Sequence, residues 1–318
     1  MDAFERALSV PAEDLEIEFR GHCHVPWTDF LLNPRRLRGS DFLMRWSQGV
    51  WSEHRVLEAL QETGEYFGLP YGPSGAAPDD VREHELYFER LEQAGLGDMK
   101  RPDLLVFRER DRPAVERVVQ SLGGEGKLPF TPEDDRSMRK LLSMAALGVE
   151  CETSLWIGSQ MPDYGAELKP MRRLGGQLGL RKGAKLPTVI VKEEDRAPLR
   201  DWQATRGVRL HIWHLFYDMA FGLALDQAEE LIRSGKIQPT DQVFQAPSGP
   251  TTTKVTYRIY HHYAYPLGAA REQPRLVADY IADRNGHILP YVRFEGGALR
   301  LSPEALGVLR TGGGQRGQ

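Results

Sequence analysis

The chain has 318 residues, 41 Lys and Arg against 45 Asp and Glu, a formal charge of −4 and 41% hydrophobic side chains. That length supplies core for one large or two modest domains, and the charge balance excludes a wholly basic nucleic-acid coat protein while leaving local basic patches open. Thirty-two of the cations are Arg, the side chain fitted to planar, bidentate contacts with phosphate and guanine. Cys23 and Cys151 are too few for a disulfide framework. With no basic-then-apolar leader and no long apolar run, a cytoplasmic protein without a membrane span is expected.

In chain order, Leu15 to Phe19 alternates apolar and acidic residues and predicts a short strand. Ser40-Asp41 caps a predicted helix reaching Tyr66, and a Pro/Gly/Ser loop follows over Tyr71 to Ala77. Asp79-Asp80 starts a helix to about Ala94. Leu104 to Phe107 reads as a buried strand behind Pro102. Thr131-Pro132-Glu133-Asp134 has the form of a helix start, and that helix runs into a strand over Val149 to Ser154. Thr188 to Val191 is a strand, Glu194 to Thr205 a helix, Val208 to Leu215 a strand and Asp218 to Arg233 a helix closed by Gly235. Lys254 to Ala264 and Ile288 to Phe294 are further strands. Strands alternating with helices define an α/β core with some parallel pairing.

The acids on these strands carry the chemistry. Asp103 stands at the mouth of one apolar strand, and Glu150 and Glu152 lie two apart on the next. A strand repeats every two residues, so both glutamates share a face while Val149 and Cys151 take the other. Like charges on one face of a core strand are costly unless a raised pKa or a cation relieves them. A hard divalent ion with oxygen ligands does so; the plainer reading is a solvated sheet edge. Glu85, on the helix before Asp103, is either an extra ligand or an ordinary solvated helix acid.

An acid after Pro, followed by a strand bearing Glu-x-(Lys/Glu), resembles the PD-(D/E)xK nuclease core, with Glu152 at the Lys position as in BamHI-type enzymes. The segments Lys100 to Phe107 (KRPDLLVF), Gly148 to Glu152 (GVECE) and Leu186 to Asp195 (LPTVIVKEED), with the strand reaching His214-Leu215-Phe216, are similar to type II restriction endonucleases of the AccI family. The similarity covers residues 100 to 230, with the stretch from Asn33 to Glu53 beside it; the last 80 or so residues have no place in it.

The resemblance implies a restriction-endonuclease-like mixed β-sheet flanked by helices. An N-terminal helical region (1–75) would clamp DNA or dimerise and residues 76–236 would form the nuclease core; the predicted strands beyond, outside the resemblance, make 237–318 a β-rich extension. It further implies that Asp103, Glu150 and the Cys151 carbonyl hold Mg²⁺, with Mn²⁺ as a substitute and Ca²⁺ bound without cleavage. Glu152 would orient or deprotonate the attacking water. Glu167-Leu168-Lys169 matches the familiar Glu-x-Lys by letters but lacks a surrounding apolar strand, so it ranks second.

From Leu168 to Lys192 there is no acid, while Lys169, Arg172, Arg173, Arg181, Lys182, Lys185 and Lys192 occur among glycines. Such clustering is the electrostatic footprint of DNA contact, against the alternative of a solvated loop. Arg35, Arg36, Arg38 and Arg45 form a second cluster before Trp46 and Trp51. His22-Cys23-His24 has no partner pair at zinc spacing and reads as a strand end. His261-His262 among tyrosines reads as an amphipathic strand or interface, and Trp213-His214 as core strand. No GxxxxGK loop is present, so no nucleotide is expected.

The expected activity is Mg²⁺-dependent, sequence-specific hydrolysis of double-stranded DNA. A homodimer would read a palindrome, and the protein would be paired with a DNA methyltransferase. A structure-specific repair nuclease and a non-enzymatic DNA-binding protein are the alternatives.

Overall fold

The computed structural model describes residues 40–312, apart from 74–75, 77–80, 94, 97–99, 173–174, 245–251 and 283–287. The expected strand at Leu15 to Phe19, the His22-Cys23-His24 trio, Arg35, Arg36, Arg38 and Arg173 lie outside the described residues.

The fold is α/β. A seven-stranded sheet runs in the order β1 (Tyr66–Pro70), β2 (Leu104–Arg108), β3 (Leu147–Thr153), β7 (Leu210–Leu215), β8 (Met219–Ala224), β11 (Tyr265–Ala270), β14 (Leu299–Leu301). Its β3–β7 pair is parallel and the other neighbours are antiparallel. Smaller sheets join β6 (Thr188–Lys192), β10 (Thr252–Tyr260) and β9 (Pro239–Phe244), pair β12 (Arg275–Ala282) with β13 (Ile288–Glu295), and pair β4 (Lys169–Pro170) with β5 (Leu178–Gly179). The main sheet therefore draws strands from all three regions expected from the sequence.

Both faces of that sheet are covered. On one side Val56, Ala59 and Leu60 of α1 (Ser40–Glu62) and Ala305 and Leu309 of α7 (Pro303–Gly312) bury Leu104, Val106, Leu147 and Val149. On the other, α3 (Arg112–Ser121), α4 (Arg136–Met144), α5 (Glu193–Arg206) and α6 (Leu225–Arg233) bury Leu105, Phe107, Leu210 and Ile212. Removal of this apolar area from water is the main force holding the layers together. The remaining helix, α2 (Val81–Gln93), precedes β2. Among the described residues no helix is long and apolar enough to cross a membrane.

Several predicted boundaries are corrected. The first helix stops at Glu62, and Tyr66 opens a strand, because Thr63 Oγ1 accepts from the backbone N–H groups of Glu65 and Tyr66 and turns the chain. Thr131 caps no helix: α4 starts at Arg136, with the Asp135 carboxylate accepting from the N–H groups of Ser137 and Met138. The predicted helix over Asp218 to Arg233 divides into a strand, β8, and a shorter helix, α6. Residues 220–223 are buried throughout, a pattern that fits a central strand as well as a helix. The His261-His262 pair lies in a 3₁₀ turn after β10, not in the strand.

Two glycines set the geometry near the acids. A Cβ on Gly148 would stand 2.6 Å from Leu210 Cδ2, so β3 approaches its parallel neighbour only without a side chain there. A Cβ on Gly72 would meet the Pro102 carbonyl at 2.6 Å; bare, the loop runs against Pro102–Asp103, and the Tyr71 N–H donates to the Asp103 carbonyl at 2.8 Å.

Candidate metal centre

Antiparallel pairing sets Leu104 opposite Val149, and one step further along that register Asp103 comes opposite Glu150. Val149 and the half-buried Cys151 pack into the α1 side of the sheet, so Glu150 and Glu152 share the other face. Asp103 Oδ2 accepts from the Cys151 backbone N–H at 2.8 Å, tying the mouth of β2 to the middle of β3. The Cys151 thiol lies on the α1 side of the sheet, and burial, then Asp103 and Glu53, pushes its pKa well up.

The trio of carboxylates whose oxygens lie within 4.8 Å of one another is Glu150, Glu152 and Asp195. Asp195 arrives from another layer. Strand β6 passes straight into α5, with Lys192 as the extended residue before the helix and Glu193, Glu194 and Asp195 as acids in its first turn. Acids there are favoured by the helix dipole, and the abrupt strand-to-helix join brings both Lys192 and Asp195 to the β3 acids. Lys192 Nζ lies 2.6 Å from Glu152 Oε1. Lys100 Nζ hydrogen-bonds Glu150 and stands 3.5 Å from Asp195 Oδ1.

Among the described residues the clustered acids outnumber the two lysines beside them. Burial, then Asp103, raises the Glu150 carboxyl well above the ordinary carboxylate range. Asp103 is pushed up to about 7 by burial, then by Glu53 of α1. Lys192 is raised despite its burial, because Glu152 lies against it, and Lys100 is raised by the surrounding acids. Among buried side-chain oxygens, Glu150 Oε2 has no hydrogen-bond partner. Next to the acids His214 is buried, its Nδ1 accepting from the Ile190 N–H at 3.3 Å; burial and Lys192 hold its pKa down to about 3, so it is neutral.

Oxygen-only donors, a buried oxygen with no hydrogen-bond partner and carboxyls whose charged forms are unfavourable fit a hard divalent cation. The three converging acids could bind one.

The structure brings Glu150 and Glu152 together, with Asp103 beside them. It adds Asp195, Lys192, Lys100 and Glu53, to which the sequence assigned no role at the acids. The available signal was the run Lys192-Glu193-Glu194-Asp195 directly after an apolar strand; linear spacing does not say that this strand leaves the main sheet and crosses its face. Glu85 falls within α2, but its side chain is outside the described residues.

The basic stretch divides. Lys169, Arg172, Lys182 and Lys185 are exposed, and Lys169 sits in the small β4–β5 hairpin. Arg181 is paired with Asp163 at 2.9 Å, and the same carboxylate accepts from the Lys185 N–H at 2.6 Å, folding this loop onto itself. Lys192 turns inward to Glu152.

No family model, curated protein or solved structure matches the chain.

Proposed function

We propose that the protein is a metal-dependent DNA endonuclease, a type II restriction enzyme similar to the AccI family. The observation that carries this reading is the convergence of Glu150, Glu152 and Asp195 beside Asp103, with two lysines, at the end of a parallel strand pair. Glu150, Asp195 and Asp103 would hold Mg²⁺, with Mn²⁺ as a substitute. A divalent ion bound there would polarise the scissile phosphate and lower the pKa of a coordinated water. Glu152 accepts the proton of the attacking water or orients it. Any part for Cys151 falls to its backbone.

Lys192 replaces what the Glu152 variant of the motif lacks. Its ammonium reaches the same place from a different strand, 2.6 Å from Glu152, holding that carboxylate in position and giving the phosphate a fixed positive charge. The exposed Lys169, Arg172, Lys182 and Lys185 are free to meet the DNA backbone. A homodimer on a palindromic site, and a companion methyltransferase, belong to the same proposal.

The experiment is digestion of a long plasmid with Mg²⁺, followed by sequencing of the fragment ends. Discrete fragments with one common end sequence are expected; cutting confined to junctions or flaps would point to a repair nuclease, and binding without cutting to a non-enzymatic protein. Glu152→Gln should slow cleavage by about 10²- to 10⁴-fold, and Lys192→Met by about 10²- to 10³-fold with partial rescue by Lys192→Arg.

A further inference from the structure

The loop that follows β3, residues 154–187, carries a surface that a solvated connection does not need. Leu155 and Trp156 stand just past the strand that bears Glu150 and Glu152, 51% and 52% exposed, and Leu178 of the β4–β5 hairpin is 52% exposed. Three of the six large apolar side chains exposed among the described residues therefore lie in this one loop. Among the described residues the Trp156 indole makes no hydrogen bond and no ring contact; its bonds run from the backbone alone. The side chains of Lys169, Arg172, Lys182 and Lys185 in the same loop are exposed and form no ion pair among the described residues, whereas Arg181 is taken by Asp163.

The apolar pair is held in place by its backbone. The Ser154 N–H donates to the Leu215 carbonyl at 2.8 Å and the Tyr217 N–H to the Trp156 carbonyl at 3.1 Å, so the pair continues along the end of β7. Just beyond, the Asp218 carboxylate accepts from the N–H groups of Gly158 and Ser159 at 2.6 and 3.0 Å. A Cβ on Gly158 would stand 2.8 Å from Met219 Sδ, so the loop lies this close to the start of β8 only without a side chain there. Further along, His262 Nε2 lies 2.8 Å from the Ala166 carbonyl. An aromatic surface ordered in advance spends less conformational entropy on binding.

Trp156 lies four positions past Glu152, at most about 14 Å of chain. At about 3.4 Å per base pair, that keeps the indole within about four base pairs of a phosphate held at the acids. Exposed cations without carboxylate partners call for an anion, and an exposed indole calls for an apolar face. Duplex DNA offers both together, with phosphates outside and bases within reach of an apolar side chain entering a groove. We infer that Trp156, with Leu155 beside it, packs against the bases of bound duplex DNA while Lys169, Arg172, Lys182 and Lys185 meet its phosphates. The choice of duplex rests on the nuclease reading; the exposed indole in a loop of unpaired cations does not.

The test is filter binding of linearised plasmid DNA by the whole protein, with Ca²⁺ in place of Mg²⁺, across a series of salt concentrations. Trp156→Ala should weaken binding about tenfold at every salt concentration and leave the slope of log K against log salt unchanged. Trp156→Phe should restore most of the loss. Lys182→Ala, by contrast, should make the slope shallower by about 1. No binding by the parent, or affinity unchanged in Trp156→Ala, overturns the inference. So does a slope that falls together with the affinity, because the indole would then only be holding the cations in place. Loss of self-association in Trp156→Ala with DNA binding intact would make this surface a contact between copies of the chain, and likewise overturns it. The two readings fail separately. A parent that binds DNA through Trp156 but cuts none with Mg²⁺ keeps this contact and removes the nuclease. A Trp156→Ala variant that binds and cuts as the parent does keeps the nuclease and removes the contact.

Discussion

Two clusters of buried charge lie on either side of the Lys100-Arg101-Pro102-Asp103 segment, and they are built on opposite terms. Around Glu133 a single carboxylate accepts from three donors, the Tyr71 hydroxyl, Trp202 Nε1 at 2.6 Å and Arg206 Nε at 2.9 Å, and is ion-paired with Arg101 Nε at 3.2 Å. Arg101 uses its remaining nitrogens on the Leu128 and Thr131 carbonyls. Around Glu150 the balance is reversed: among the described residues Asp103, Glu150, Glu152 and Asp195 gather about Lys100 and Lys192. In the first arrangement the carboxylate is matched by two guanidinium groups and two neutral donors. In the second the carboxylates outnumber the cations among the described residues, which suits a cation site and is avoided in a structural ion pair. Burial of charge is common to both, so the number and sign of the partners separates a fastening from a site.

The largest effect should come from breaking the satisfied cluster. Glu133→Ala leaves two guanidinium groups without their carboxylate and should cost about 3 to 5 kcal/mol by chemical denaturation. A loss under about 1 kcal/mol would show that the Glu133 cluster is not the fastening described.

Second in size is the response of the acid cluster to metal and pH. A carboxyl whose folded pKa is raised, as Asp103 is to about 7, binds extra protons in the folded state, so metal-free stability is lost as pH climbs from about 4 through 7. His211 and His214 act in the opposite direction. Burial lowers them to about 4 and about 3, so their contribution is complete above about pH 6.5 and is lost as pH falls below it. A bound cation compensates only the carboxyls. The gap in Tm with and without Mg²⁺ should therefore be small at pH 5 and widen towards pH 8. There, with Mg²⁺ at about a hundred times its Kd, the stabilisation behind that gap should amount to about 2.7 kcal/mol. A gap independent of pH would separate the raised carboxyls from the metal.

The smallest expected effect is also the most discriminating in sign. Glu150→Gln removes one charge from a cluster with too many, so the metal-free variant should be as stable as the parent or more stable by up to about 1 kcal/mol, as happens where residues kept for function strain the fold. Denaturant midpoints measured in EDTA check this; a loss of several kcal/mol would make Glu150 a structural residue like Glu133.

Much of the frame of this site could be read from the sequence, because the strand period is local. Glu150 and Glu152 share a face since Val149 and Cys151 must meet the core, and the apolar run after Pro102 places Asp103 at a strand mouth. What could not be read depends on contacts between layers. Asp195 and Lys192 reach the acids because β6 belongs to a different sheet from β3 and turns into α5 over it. Glu53 reaches them across a helix packing. A run of charge also does not give partners: Arg181 of the basic stretch is ion-paired with Asp163, and Lys192, counted with the basic loop, lies against Glu152. The helix expected over Asp218 to Arg233 hid a strand for a related reason, since Met219 to Ala224 is apolar on both faces and carries no period.

The most direct test of the central claim is a calorimetric titration of the protein with Mn²⁺ at pH 7.5, alongside Glu152→Gln and Asp195→Asn. The account predicts saturable binding in the parent that both substitutions weaken at least tenfold. Absence of binding in the parent, or binding untouched by both changes, would contradict it.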